Sequence, residues 1–132
     1  MTAKKKKLGR IVVTPDVNVQ PHEWDTARAL ARAGYDVEFI RKSEDFRARS
    51  ADVLIDGIAW EIKSPKSTHM RKVQDNLRRA LHQSSYVVFD CRRMKNIPDT
   101  AIKREFMKWA KELKELAGLK CVDRHGIVVD IK

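Results

Sequence analysis

The stretch ADVLIDGIAWEIKSP, Ala51 to Pro65, alternates as a half-buried β-hairpin does, yet it sets Asp52, Glu61 and Lys63 among its apolar residues. Asp56-Gly57 is a two-residue turn signal, because a type I′ turn needs positive φ at both central positions. With those two residues as the loop, the pairing is forced: Ile55 opposite Ile58, Leu54 opposite Ala59, Val53 opposite Trp60, and Asp52 opposite Glu61. Period-two alternation then puts Asp52, Leu54, Ala59, Glu61 and Lys63 on one face and Val53, Ile55, Ile58, Trp60 and Ile62 on the other. The second face is wholly apolar and reads as core. On the first, directly opposed Cβ atoms lie only about 4.5 to 5.5 Å apart, so facing carboxylates repel, and burial adds to the cost. Two arrangements relieve this: a hard divalent cation held by the carboxylate oxygens, or an exposed rim in which Lys63 pairs with them.

The segments on either side supply a sheet for the hairpin to join. GRIVVTP predicts a short strand ending at Pro15, and a helix follows from Pro21 to Ala33, with proline in its first turn and Gly34 closing it. Trp24, Ala27, Leu30 and Ala31 recur at helical spacing on its buried side, and Glu23 falls in its first turn. YDVEFI, Tyr35 to Ile40, alternates as a strand, and a polar loop runs on through Ser50. After the hairpin, THMRKVQDNLRRALHQSS carries Met70, Val73, Leu77, Ala80 and Leu81 on one face and arginines and lysines elsewhere, a basic amphipathic helix. YVVFD, Tyr86 to Asp90, is a buried strand. PDTAIKREFMKWAKELKELAG is a long helix with a core stripe of Ile102, Phe106, Trp109, Leu113 and Leu116. LKCVDRHGIVVDIK closes as two strands turning at His125-Gly126. The order β α β ββ α β α ββ predicts an α/β fold, a mixed central β-sheet flanked by helices.

At 132 residues the length suits one domain, here 9–132, behind a flexible basic tail over residues 1–8. The run Lys4 to Lys7 reads as a solvated tail or as an arm that grips phosphate. Lys and Arg number 28 against 18 Asp and Glu, a net charge of +10 that favours polyanionic partners, nucleic acid first among them. No apolar run approaches the ~20 residues needed to span a bilayer, and the N-terminus lacks the apolar core of a signal peptide. Cys91 and Cys121 form no Cys-x-x-Cys pair and have no histidine at ligand spacing, so they read as partly buried thiols rather than a zinc site. His22, His69, His82 and His125 form no recognisable triad or catalytic pair.

An acidic residue, a hairpin and then Glu-Ile-Lys on a hydrophobic strand resembles the core of the PD-(D/E)xK phosphodiesterase superfamily. QPHEWDTARALARAGYDVEFI, ADVLIDGIAWEIKSPK, LRRALHQSSYVVFDCRR and GIVVDIK, together most of the chain from Gln20 onward, further resemble the nuclease domain at the C-terminus of contact-dependent growth-inhibition toxins (CdiA). That resemblance implies a restriction-endonuclease-like fold and a metal-dependent endonuclease acting on RNA, in particular tRNA. It makes Asp52 and Glu61 the metal-binding carboxylates and Lys63 the catalytic lysine. Glu23, in the PHE of the first helix, matches the helical acid that completes many such sites, as metal ligand or helper base; its other role is to complement the helix dipole. Ala51 stands where the superfamily's name has proline.

The resemblance also implies a divalent cofactor, Mg2+ first, with Mn2+ or Zn2+ as alternatives. It implies an acidic immunity protein as partner and action in a bacterial cytoplasm after delivery within a larger secreted toxin. Substrate phosphates would meet Ser64, Lys66, Arg71 and Arg92, with Gln83 beside the site; each is equally readable as surface or helix-end structure. Two rival readings are a DNA endonuclease or resolvase of the same fold and a nucleic-acid-binding module without chemistry.

Overall fold

The computed structural model describes residues 7–41 and 51–132. The basic tail, apart from Lys7 and Leu8, and the loop through Ser50, apart from Arg41, lie outside the described residues. Among the described residues, seven strands and three helices follow in the expected order. They are β1 (Ile11–Val12), α1 (Pro21–Arg32), β2 (Val37–Phe39), β3 (Val53–Ile55), β4 (Ile58–Lys63), α2 (Arg71–Ala80), β5 (Tyr86–Asp90), α3 (Asp99–Glu112), β6 (Gly118–Val122) and β7 (Val128–Asp130).

The strands form one mixed sheet whose spatial order is the chain order, β1 through β7. β1 runs parallel to β2 across α1, β4 to β5 across α2, and β5 to β6 across α3; the other neighbours are antiparallel. Each parallel pair thus uses a helix as its crossover, as parallel strands require. The crossovers cover both faces of the sheet. Ala27 and Leu30 of α1 pack on Val37, Val53, Trp60, Ile62 and Val88. Val73 and Leu77 of α2 and Ile102 and Phe106 of α3 pack on Val87, Phe89 and Leu119. Alternation along β5 therefore sends Val87 and Phe89 to one layer and Val88 to the other.

Three details differ from expectation. Ile58, counted with the apolar face, is 40 % exposed because it abuts the hairpin turn, beyond the reach of α1. The last helix ends at Glu112 and does not run on through Leu116. Leu113 leaves helical backbone (φ −88°, ψ 89°), which lets Leu113 and Leu116 both drop into the core. The carbonyls this strands are taken up by the Lys132 ammonium, which donates to Ala110 O at 2.7 Å and Leu113 O at 3.4 Å. The third difference concerns Asp52 and belongs to the site.

Candidate active site

The hairpin register is the one the turn demands: Ile55 pairs with Ile58, Leu54 with Ala59 and Val53 with Trp60. Asp56 (φ 51°) and Gly57 (φ 80°) both occupy the left-handed region, as a type I′ turn requires. The ladder stops there, one pair short of Asp52 and Glu61. Asp52 lies at a bend: its carbonyl accepts from the N–H of Ile40, just past the end of β2, while its own N–H turns the other way, to Trp60 O. Asp52 therefore does not stand squarely opposite Glu61. Its Oδ2 instead accepts the Ile62 N–H at 2.8 Å, which fixes the carboxylate against the residue after Glu61.

Asp52 and Glu61 are both buried, at 8 % and 6 % exposure, so they do not form an exposed rim. Glu61 and Lys63 align with Val87 and Phe89 and share their face of the sheet. The Lys63 ammonium lies 3.6 Å from Glu61 Oε2, with the lysine partly open to solvent and the glutamate enclosed. One end of β4 thus presents two enclosed carboxylates and a cation with solvent access.

Glu23 joins Asp52 in lining a cleft of about 330 Å³ with Val17, Asn18 and Phe39. It also accepts the Gln20 N–H at 3.0 Å, so its helix-capping role is real and is compatible with facing the cleft. Ser64, the residue after Lys63, lines a smaller hollow of about 140 Å³ with His22, Asp25, Asp90, Arg92 and Arg93. The first turn of α1 consequently has Glu23 toward one hollow and His22 toward the other.

The remaining residues expected at the substrate disperse. Lys66 is exposed, and Arg71, also exposed, lies 4.0 Å from Asp75 within its own helix. Gln83 is half-buried and engaged at the end of α2. Its neighbour Ser84 donates to the Ala59 carbonyl at 2.6 Å, tying the end of α2 to β4 two residues before Glu61. Arg92 is committed to Asp90 through Nε at 3.0 Å and Nη2 at 2.7 Å, and Nη2 also reaches Asp25 O at 2.9 Å. The Asp90 carboxylate holds the Arg92 guanidinium above its usual range.

Two residues went unnoticed in the sequence. Asp90 is buried at the end of β5, and Thr26, fully buried on α1, donates to its Oδ2 at 2.6 Å. Thr26 is one helical turn from Glu23 and His22, so this bond sets the α1 turn that carries them over the strand ends. The available signal was an aspartate closing an apolar parallel strand, where ligand sites of open α/β sheets gather.

Among the described residues, no three or more His, Cys, Asp and Glu side chains gather closely enough to hold a metal by themselves. Asp52 and Glu61 offer hard oxygen donors, which suit Mg2+ or Mn2+; a Mg2+ ion commonly takes one or two carboxylates and fills the rest of its shell with water and substrate phosphate. The donor set fits such an ion and lacks the nitrogen and sulfur ligands typical of zinc.

Residues 49–128 match the family described as Contact-dependent growth inhibition CdiA C-terminal domain. The chain belongs to that family. No curated protein sequence matches it. Among solved structures it is similar to a chain of a CdiA-CT/CdiI toxin and immunity complex from Burkholderia pseudomallei, with a TM-score of 0.73 and 20 % identity over 94 % of this chain and 99 % of that one. At that identity the likeness extends the shared fold beyond the family match, over nearly the whole of this CdiA C-terminal domain. No helix among the described residues is long and apolar enough to cross a membrane.

Proposed function

We propose that this CdiA C-terminal domain is a metal-dependent endonuclease of the PD-(D/E)xK type that hydrolyses phosphodiester bonds in RNA, with tRNA its substrate, as a toxin in competition between bacteria. The observation that carries the reading is the pair of buried carboxylates Asp52 and Glu61 at the end of β4 with Lys63 3.6 Å from Glu61, in a chain of net charge +10. Buried acids are expensive for a fold to keep without a compensating cation, whereas a phosphodiester-cleaving site needs them.

Asp52 and Glu61 would hold the divalent ion. When bound, that ion supplies Lewis acidity toward the phosphate and a lowered pKa for coordinated water. The chain's own residues do the rest. The Ile62 N–H orients the Asp52 carboxylate. Lys63 offers its ammonium to the charge that develops on the non-bridging oxygens or orients the attacking water, and its partial exposure leaves it accessible to a polynucleotide. Ser64 and Arg93 flank it in the adjoining hollow, where a neighbouring phosphate can rest. Glu23, held by its capping bond, serves as a helper base or as a ligand through water.

The surplus of basic charge, with a structural relative solved as a toxin and immunity complex, supports a small acidic immunity protein that covers this surface. Action in the cytoplasm of a recipient cell, after delivery within a larger secreted toxin, follows from the same reading. The test is incubation with total tRNA and, separately, with duplex DNA, each with Mg2+ or EDTA. Cleavage of tRNA alone, abolished by EDTA, is expected. Cleavage of DNA alone would move the assignment to an endonuclease of the same fold, and binding of either without cleavage would make the chain a binding module.

A further inference from the structure

Cys91 and Cys121 read in the sequence as unrelated thiols. In the fold their sulfurs lie 3.5 Å apart, thirty residues apart in sequence and buried at 3 % and 1 % exposure. Cys121 sits within β6 opposite Phe89. Cys91 lies just past the end of β5, held by its N–H to Val122 O at 2.9 Å, and opens a turn closed by Met94 N to Cys91 O at 2.9 Å. It lies past the last paired residue of β5, and because a backbone shift would strain its bond to Val122 of β6, the side chains carry the approach. The sulfurs need to approach by about 1.5 Å to reach the ~2.05 Å of a disulfide. Access is one-sided: Cys91 lines a cavity of about 520 Å³ that also bears Arg92, Lys95, Asp99 and Arg124, whereas Cys121 does not line it.

We propose that Cys91 and Cys121 are a built dithiol site that takes a small disulfide as its oxidant and closes to an intrachain disulfide. The Cys91 sulfur, deprotonated, attacks one sulfur of the incoming disulfide and releases the other half as a thiol. Cys121 loses its proton and attacks the Cys91 sulfur of the mixed disulfide, releasing the second half. Two protein thiols are oxidised, two small thiols are produced, and the protons released balance those taken up. Arg124 is paired with Asp99, a carboxylate that also lines the cavity, and Arg92 with Asp90, so the lining makes no strong demand on charge and oxidised glutathione serves as the small disulfide. The hydrogen bond with Cys121, together with burial, pushes the Cys91 thiol well above its usual range, so attack from the folded state is slow near neutral pH and quickens as pH rises. The bridge fastens the ends of β5 and β6 beside Asp90. It owes nothing to the nuclease reading.

The full chain is unfolded in urea and refolded in a buffer of oxidised and reduced glutathione; remaining thiols are alkylated and the mass is measured. The expected product lacks two hydrogens, carries neither alkyl group nor glutathione, regains both thiols with dithiothreitol, and melts higher by on the order of 10 °C for a loop of this length. Oxidised glutathione added to the folded chain gives the same product more slowly, and Cys121→Ser, which has no second thiol to complete the exchange, stops with glutathione on Cys91. Two free thiols after oxidative refolding, a stable glutathione adduct on the unaltered chain, or a bridged product without the native far-ultraviolet spectrum would each overturn the proposal. If Cys121→Ser does not fold, the refolding result on the unaltered chain decides alone.

Discussion

Replacing Asp90 by alanine tests how the site is held in place. The carboxylate accepts from Thr26 Oγ1 at 2.6 Å and from Arg92 N, Nε and Nη2 at 3.0, 3.0 and 2.7 Å, and it is 2 % exposed. Its removal leaves the guanidinium without its carboxylate and returns the fully buried Thr26 hydroxyl to the His22 carbonyl, 3.1 Å away. Breaking a buried ion pair from one side costs about 3 to 5 kcal/mol. The Arg92 side chain is 25 % exposed and can rehydrate in part, so the lower end, about 3 kcal/mol, applies. Thr26→Val keeps the shape, removes one hydrogen bond to a charged acceptor, and is expected to cost about 1.5 to 2 kcal/mol. In the double variant the two losses overlap, because the Thr26–Asp90 bond can be lost only once; the sum should fall short by at least about 1 kcal/mol. Urea unfolding followed by tryptophan fluorescence measures all three, with m unchanged between variants if only the native state is affected. A loss under about 1 kcal/mol for Asp90→Ala, or simple additivity with Thr26→Val, would refute the claim that this bond clamps α1 to the sheet.

Other predictions follow from single positions. A Cβ at Gly118 would stand 2.7 Å from a Tyr86 ring carbon and 3.0 Å from the Trp60 ring, so Gly118→Ala should destabilise by about 1 to 3 kcal/mol, read by the same unfolding curve. Lys120 is buried between the Tyr35 and Trp60 rings; burial alone would lower its pKa, but hydrogen bonds to Asp130 at 2.6 Å and Tyr35 at 3.0 Å more than offset that and raise it. A raised folded-state value means the folded protein holds the proton more tightly, so this stabilisation is complete below the ordinary lysine value of about 10.4 and is lost as pH climbs through the folded one. Lys120→Met should therefore flatten the loss of stability between neutral and strongly alkaline pH; an unaltered alkaline limb would disprove the linkage.

Local signals made much of this legible. Asp56-Gly57 set the hairpin register because both residues had to adopt positive φ, and helical periodicity placed α1, α2 and α3 and their buried stripes. The order of elements followed because each parallel strand pair is joined by one of those helices. What escaped was tertiary. At the bend the Asp52 carbonyl bonds Ile40, just past β2, while its N–H bonds Trp60 of β4, and periodicity within one hairpin does not contain the first of these partners. Asp90 and Thr26 are 64 residues apart, so nothing local to either announced the clamp. Leu113 and Leu116 kept their place in the core, but by leaving the helix, with the terminal Lys132 covering its end. The candidate acids were legible as residue types; that Asp52 lines a cleft with Glu23 and is tied to Ile62, rather than standing opposite Glu61, required the fold.

The central claim is that Asp52, Glu61 and Lys63 form a metal-dependent phosphodiesterase site, and the most direct test is the initial rate of tRNA cleavage in Mg2+ for the unaltered chain, Asp52→Asn and Lys63→Met, each first shown to be folded. The account predicts a fall of roughly 100-fold or more for each substitution, the scale of losing one transition-state-stabilising group. Cleavage by either variant at the unaltered rate would contradict it.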